Sequence, residues 1–161
     1  MTKIIGIDPG LTKTGWGVIE VVNNSFKFIA CGTIHTDSAL SLTRRLHHLH
    51  INLIEAVKLH MPVEAAIEET FINSNLGSSL KLGHARGSLM LSLGLCDLPV
   101  AEYSTTAIKK AVVGAGRAEK HQIARMIQIL LPHAKCKTED EADALATAIC
   151  HVNHRLQRVA F

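Results

Sequence analysis

One acidic residue, Asp8, stands at the end of an apolar stretch near the start of the chain. Residues 3–7 have the length and composition of a β-strand, and Pro9 and Gly10 then end it, because proline lacks a backbone donor and glycine permits a tight turn. Apolar strands rarely carry aspartate, so the position predicts a side chain held by a metal, a hydrogen-bond donor or a ligand. The alternative is an aspartate that only initiates the turn.

Three further acids occupy comparable positions. Glu68 follows the short apolar segment 63–67, as Asp8 follows the first one. Asp140 and Asp143 open the last predicted helix and, being three residues apart, share one of its faces. The alternative for this pair is the helix macrodipole, which favours acids in a first turn.

Four carboxylates in one place would repel each other unless cations were bound, so a cluster of these acids implies a metal site. Oxygen ligands favour Mg²⁺ or Mn²⁺ over zinc. Two such ions about 4 Å apart can clamp a phosphodiester, with one activating water and the other stabilising the leaving oxygen. The acids therefore predict metal-assisted phosphodiester hydrolysis.

The hydrophobic spacing predicts the elements that must bring these acids together. Strands are expected over residues 3–8, 14–21, 26–33, 63–69 and 98–103. Helices are expected from Asp37 or Ser38 to the break at Pro62 and over residues 80–95, 105–112, 118–131 and 139–158. Thr138 is the predicted cap of the last helix, and residues 73–79 form a polar loop. Three hairpin-connected strands followed by alternating helices and strands make a five-stranded mixed α/β sheet flanked by helices. In such a sheet the first and fourth strands can be neighbours, which would place Asp8 beside Glu68.

Length and composition set the limits. The 161 residues, 47% of them hydrophobic, predict one globular domain over residues 1–161. Asp8 interrupts the first apolar run and no stretch has the length of a membrane span, so we expect a cytoplasmic protein that contacts no membrane. The net charge is only +3, but with four acids sequestered the surface would carry 17 basic against 10 acidic residues, which suits DNA.

The cysteines and histidines form no recognisable motif. Cys31, Cys96, Cys136 and Cys150 contain no Cys-x-x-Cys pair, which argues against a zinc knuckle or a redox motif and favours reduced, buried thiols. His47 and His50 can share a helical face, but a solvated helix face is the favoured explanation.

Basic residues cluster around the Gly-x-Gly break that follows residue 113. Lysines and backbone N–H groups at such a break and at a helix start can bind phosphates, and a solvated basic face is the alternative. The candidate phosphate contacts are Lys109, Lys110, Arg117 and Lys120, with Lys81 and Arg86 on the preceding helix.

Five segments together resemble the RuvC family of Holliday-junction resolvases. They are Gly6-Ile7-Asp8-Pro9-Gly10 with Thr14-Gly15-Trp16-Gly17, Ala66-Ile67-Glu68-Glu69-Thr70-Phe71, Leu80-Lys81-Leu82-Gly83-His84-Ala85-Arg86-Gly87, Val112-Val113-Gly114-Ala115-Gly116-Arg117-Ala118-Glu119-Lys120 and Asp140-Glu141-Ala142-Asp143-Ala144-Leu145-Ala146. Each is weak alone, but five in order, from Lys3 to about His151, are specific. The resemblance implies a ribonuclease-H-like fold, a homodimer and Mg²⁺-dependent paired nicking of four-way DNA junctions.

The resemblance also implies roles for individual residues and partners. Asp8, Glu68, Asp140 and Asp143 would be the catalytic acids and would bind two Mg²⁺ or Mn²⁺ ions. Lys109 and Lys120 would hold DNA, and Phe71 would stack or wedge between bases at the opened junction centre. The branch-migration proteins RuvA and RuvB are the implied partners.

Three other interpretations start from the same residues. A covalent recombinase would use Tyr103, the single tyrosine, or a serine as nucleophile. An actin- or sugar-kinase-like domain would use the loop after Asp8 to bind nucleotide phosphates, but such proteins usually need a second domain, for which the chain is short. A non-catalytic DNA-binding module would not require the four acids to be intact.

Overall fold

The computed structural model describes residues 1–23, 25–70 and 75–159, with side chains as far as Arg155. The strands are β1 (Thr2–Asp8), β2 (Lys13–Val22), β3 (Ser25–His35), β4 (Glu64–Glu68) and β5 (Val100–Tyr103). The helices are α1 (Leu42–His60), α2 (Leu76–Leu95), α3 (Thr105–Val113), α4 (Lys120–Leu130) and α5 (Glu139–Val159). The chain order of strands and helices is the predicted one.

The five strands form one mixed sheet in the order β3-β2-β1-β4-β5. The hairpin strands β1, β2 and β3 pair antiparallel, whereas β1 pairs parallel with β4, and β4 with β5. In the β1–β4 register Ile7 lies opposite Ile67, so the next residues, Asp8 and Glu68, end neighbouring strands at the same edge. The predicted adjacency of the first and fourth strands is confirmed.

Each face of the sheet has its own hydrophobic core. On one face Leu49, Leu53 and Leu89 of α1 and α2 pack with Ile5 and Ile7. On the other face α3, α4 and α5 pack against the sheet through buried residues that include Ile4, Ile108, Ile127, Leu145 and Ile149. The result is a three-layer arrangement in which α5 lies directly on the central strands.

Two glycines let α5 approach the sheet more closely than a side chain would permit. A Cβ atom on Gly6 of β1 would lie 2.1 Å from the carbonyl oxygen of Ala144, and one on Gly15 of β2 would lie 2.0 Å from that of Asp140. Real Cβ atoms do not come this close to an oxygen, so the contact requires glycine at both positions. The start of α5, which carries Asp140 and Asp143, therefore lies beside the end of β1.

The helix starts differ from the predicted ones for local reasons. Helix α1 begins at Leu42, not at Asp37 or Ser38, because Ser41 accepts a hydrogen bond from the backbone of Arg44 while Asp37 caps a separate turn. Helix α2 begins at Leu76, within the predicted polar loop, because the side chain of Asn75 accepts a hydrogen bond from the backbone N–H of Ser78.

At α5, the predicted cap is confirmed, because the Thr138 hydroxyl accepts a hydrogen bond from the backbone N–H of Glu141 at 3.2 Å. In the chain as described, no helix combines the length and the hydrophobicity needed to cross a bilayer.

Candidate active site

A cleft opens at the edge of the sheet where β1 and β4 end. Its lining includes Asp8, Glu68, Thr105, Lys109, Lys120 and Asp143. These residues come from two strands and three helices, so the cleft depends on the whole fold. Three of the four predicted acids therefore meet in one cavity together with two of the predicted DNA-binding lysines.

The electrostatics of Asp8 show how strongly negative this cleft is. Burial, and after it the charges of Glu68, Asp143 and Asp140, together raise the pKa of Asp8 from 3.8 to about 8, against a smaller lowering by Lys120. A carboxylate in such surroundings binds a proton near neutral pH or requires a cation. Asp8 is therefore a candidate metal ligand.

Asp143 is subject to the same field from the other side of the cleft. Burial, together with the charges of Glu68, Asp140 and Glu139, raises its pKa to about 6, although the ammonium of Lys120 opposes the shift. Asp140 acts on both Asp8 and Asp143 through its charge, although it does not line the cleft itself. All four predicted acids thus interact electrostatically in the structure.

A threonine that the sequence analysis did not single out fixes one of the acids. The hydroxyl of Thr105, in the first turn of α3, donates a hydrogen bond to Oε1 of Glu68. Thr105 follows the helix cap Ser104, and at such a position threonine is ordinary, so no signal in the sequence reveals this role.

Lys120, the first residue of α4, bridges two elements of the site. Its Nζ lies 3.3 Å from Oε2 of Glu139 and 3.9 Å from Oδ2 of Asp143. Burial lowers the pKa of Lys120, but Asp143, Glu139 and Asp8 outweigh this effect and raise it overall, so the side chain is firmly cationic. With 60% of its side chain exposed, Lys120 can reach an incoming phosphate.

The remaining predicted DNA contacts fall into two groups. Lys81, Lys110 and Arg117 are exposed and lie outside the cleft. Arg86 instead points into the protein, where its Nε donates to the backbone oxygen of Glu68 at 3.0 Å and its Nη2 pairs with the carboxylate of Glu102. Phe71 lies outside the described residues.

Comparisons with known proteins show which family the chain belongs to. The family model described as crossover junction endodeoxyribonuclease RuvC matches residues 4–151. The chain belongs to the RuvC family. Within that family it is 53% identical over 153 residues to the enzyme of Allorhizobium ampelinum, covering 95% of this chain and 90% of the relative. With the enzyme of Azorhizobium caulinodans it shares 54% identity over 155 residues, covering 96% and 92%.

A solved structure extends the match to three dimensions. Thermus thermophilus RuvC in complex with a Holliday junction substrate superposes with a TM-score of 0.90 at 26% identity, covering 98% of this chain and 96% of that one. The ribonuclease-H-like fold that the RuvC resemblance implied is thereby confirmed.

Membership of the RuvC family also decides between the interpretations left open by the sequence. Actin- and sugar-kinase-like domains share this kind of sheet, so the strand order alone does not separate them from a nuclease. The family match does. The covalent alternative meets a further obstacle, because the Tyr103 hydroxyl is hydrogen-bonded to Nδ1 of His151 at 2.9 Å and does not line the cleft.

Proposed function

We propose that the protein resolves four-way DNA junctions by hydrolysing one phosphodiester bond in each of two strands, using Asp8, Glu68, Asp140 and Asp143 as its catalytic acids. The observation that carries the proposal is the single cleft lined by Asp8, Glu68 and Asp143 in a chain that belongs to the RuvC family. Burial and the charges of Glu68, Asp143 and Asp140 raise the pKa of Asp8 to about 8, which agrees with a site that needs cations. Burying a carboxylate among carboxylates is costly unless cations compensate for it.

The donor set fits Mg²⁺ or Mn²⁺, because all four side chains offer oxygen. When bound, two such ions would supply the Lewis acidity that activates water and stabilises negative charge on the leaving 3′ oxygen. The acids come from three elements, β1, β4 and α5, and Asp8, Glu68 and Asp143 line the cleft where the ions would be held. The expected products carry 5′-phosphate and 3′-hydroxyl ends.

The protein's own side chains would orient the substrate. Lys109 and Lys120 line the acidic cleft and would bind phosphate oxygens of the strand to be cut, offsetting repulsion between DNA and the acids. Thr105 would hold the Glu68 carboxylate in one orientation. Lys81, Lys110 and Arg117 would bind more distant phosphates, and Phe71 would act on bases at the junction centre.

The test is cleavage of a synthetic four-way junction and of a linear duplex of the same sequence, with and without Mg²⁺. We expect paired nicks in the junction alone and only with the metal, and sealing of the nicked products by DNA ligase. Asp8→Asn should abolish cutting while retaining junction binding in a gel-shift assay. Equal cutting of the linear duplex, or full activity of Asp8→Asn, would contradict the proposal.

A homodimer would supply the two active sites that paired nicks require. Helix α2 presents an exposed apolar stripe, with Leu80, Leu91 and Leu95 each 63% exposed. Gly83 and Gly87 lie on the same side, and a Cβ atom at either would meet nothing within 4 Å. We propose this stripe as the dimer contact, because small residues let a second helix approach closely. Leu91→Glu should therefore yield monomers in sedimentation velocity.

Membership of the RuvC family also supports proposals about the partners and the location of the protein. RuvA and RuvB, which move the junction along DNA, are the proposed partners. Because the proposed substrate is DNA, we propose that the protein acts in the cytoplasm. We also propose that residues 1–161 act as one domain, since α5 packs on both halves of the sheet.

A further inference from the structure

Two cysteines far apart in the sequence meet a buried carboxylate behind the start of α5. Cys31 lies in β3, Cys136 in the loop between α4 and α5, and Glu141 in the first turn of α5. One ligand atom of each lies within 4.8 Å of the others, and within the described parts of the chain no other set of three potential ligands does so. This group is separate from the acidic cleft, whose lining contains none of the three.

Glu141 is held in a fixed orientation. It is 5% exposed, and its Oε2 accepts hydrogen bonds from the backbone N–H of Lys137 at 2.6 Å and from Sγ of Cys31 at 3.5 Å. Its Oε1 accepts one from the Thr33 hydroxyl at 3.2 Å. No ion pair with lysine or arginine is found for this carboxylate among residues 1–23, 25–70 and 75–155.

Capping of α5 explains only part of this arrangement. A glutamate three residues after a threonine cap usually turns back to the backbone at the helix start, and Glu141 does so at Lys137. Such a glutamate normally remains at the surface. Glu141 is buried instead, and its carboxyl group faces a pair of thiols, which become soft metal ligands on losing their protons.

The geometry points to a zinc site formed by Sγ of Cys31, Sγ of Cys136 and a carboxylate oxygen of Glu141, with a fourth position left for water. Zinc bonds of about 2.3 Å to sulfur and 2.0 Å to oxygen place tetrahedral ligands about 3.5 Å apart for sulfur and oxygen. The Cys31 sulfur and the Glu141 oxygen are already 3.5 Å apart. No backbone movement is needed to complete that edge of the tetrahedron.

The chemistry of this site differs from that of the acidic cleft. Two thiolates favour Zn²⁺ or Co²⁺, whereas Mg²⁺ prefers oxygen. Binding would release one proton from each thiol, and the carboxylate would exchange its hydrogen bond from Cys31 for the metal. Thr33, by bonding to Oε1, would keep Oε2 directed at the ion.

The bound ion would connect the edge strand β3 to the helix that carries two catalytic acids. Glu141 stands between Asp140 and Asp143, so fixing its side chain fixes the first turn of α5. The consequence is a stabilised α5 start, which would appear as slower hydrogen exchange of residues 139–145.

The experiment uses the full chain with Asp8→Asn, so that metal binding at the acidic cleft is weakened. The reduced, metal-free protein is titrated with Co²⁺ and followed by absorption. We expect a thiolate-to-cobalt charge-transfer band and tetrahedral d–d bands at one equivalent, displaced by one equivalent of Zn²⁺. Mg²⁺ in excess should not displace them.

Matched variants assign the ligands. Cys136→Ser and Glu141→Gln should abolish or weaken the bands. Cys96 is half-buried on the other face of the sheet, so Cys96→Ser should leave the bands unchanged. Unfolding temperatures in the absence of metal check that each variant folds.

Several results would overturn the site. One is that folded protein with four titratable thiols shows no thiolate-to-cobalt band. Another is that the band is lost in Cys96→Ser. A third is that Cys31 and Cys136 form a disulfide that resists reduction. None of these readouts involves DNA cleavage, so the zinc site and the nuclease proposal can fail independently.

Discussion

Thr105 donates a hydrogen bond from its hydroxyl to Oε1 of Glu68, joining the first turn of α3 to the end of β4. This bond orients a proposed metal ligand without making Thr105 a ligand itself. Residues that hold a ligand in place commonly affect metal affinity or activity by about 10- to 100-fold.

Replacing Thr105 with valine removes the donor and keeps the shape of the side chain. We expect the Mg²⁺ concentration for half-maximal junction cleavage to rise by about tenfold. Thr105→Ser retains the hydroxyl, so its Mg²⁺ concentration for half-maximal cleavage should remain close to that of the unchanged protein. If valine lowers the rate equally at saturating Mg²⁺, with no shift in metal dependence, Thr105 has a different role.

The raised pKa of Asp8 predicts how metal-free protein responds to pH. Since its folded-state pKa is about 8 and its ordinary value is 3.8, the folded chain holds a proton that the unfolded chain releases. The stabilisation from neutral Asp8 is therefore complete below pH 3.8 and is lost as the pH rises to about 8. Chemical denaturation in EDTA should show stability falling across this range, with a smaller fall in Asp8→Asn.

The same proton competes with the metal. Divalent cations should bind more tightly as the pH rises toward 8, by up to about tenfold per pH unit for each proton displaced. Isothermal titration with Mn²⁺ in buffers of different ionisation enthalpy measures the protons released. A pH-independent affinity without proton release would show that Asp8 is not a ligand.

Lys120 is predicted to contact DNA, and salt dependence tests a phosphate contact directly. Lys120→Ala should weaken junction binding and make the slope of log affinity against log salt shallower by about one, because each neutralised phosphate releases about one counterion. Lys58→Ala, an exposed lysine in the last turn of α1 on the other face of the sheet, is the matched control. Equal slopes for both variants would exclude a phosphate contact by Lys120.

For Arg86 the structure suggests a different outcome from the predicted phosphate contact. Its guanidinium bonds the backbone oxygen of Glu68 and pairs with Glu102, and the Arg86 side chain is only 17% exposed. Because the Glu102 carboxylate is 45% exposed, solvent weakens the pair, and we expect Arg86→Ala to reduce the free energy of unfolding by about 1–2 kcal/mol. The salt slope of junction binding should stay constant. A shallower slope with unchanged stability would instead support a DNA contact.

The sequence predicted those parts of the site whose signals extend over only a few neighbouring residues. Strand length, the break at Pro9 and Gly10 and the three-residue spacing of Asp140 and Asp143 all act over a few residues. Hairpin connections and helical crossovers then restrict the sheet to few topologies, which is why the pairing of β1 with β4 could be anticipated.

Contacts between distant segments could not be predicted in this way. Cys31 and Cys136 are separated by 104 intervening residues, and only the packing of α5 on β2 and β3 brings them together. Because the cysteines form no closely spaced pair, the sequence alone predicted only unrelated thiols. The hydrogen bond from Thr105 to Glu68 could not be predicted for the same reason, because it joins two separate elements at the edge of the sheet.

Gly15 connects the fold to the chemistry most directly, because it determines how closely the start of α5 approaches the sheet. A Cβ atom there would lie 2.0 Å from the carbonyl oxygen of Asp140, so Gly15→Ala must push α5 outward and displace its acids. We expect a loss of about 1–3 kcal/mol in the free energy of unfolding and a larger relative loss in cleavage than in junction binding. Gly77→Ala is the control, since the nearest atom to its Cβ would be 3.5 Å away and alanine favours the helix. Urea unfolding and junction cleavage on both variants test the relationship, and a Gly15→Ala protein with unchanged stability and activity would show that α5 does not depend on this contact.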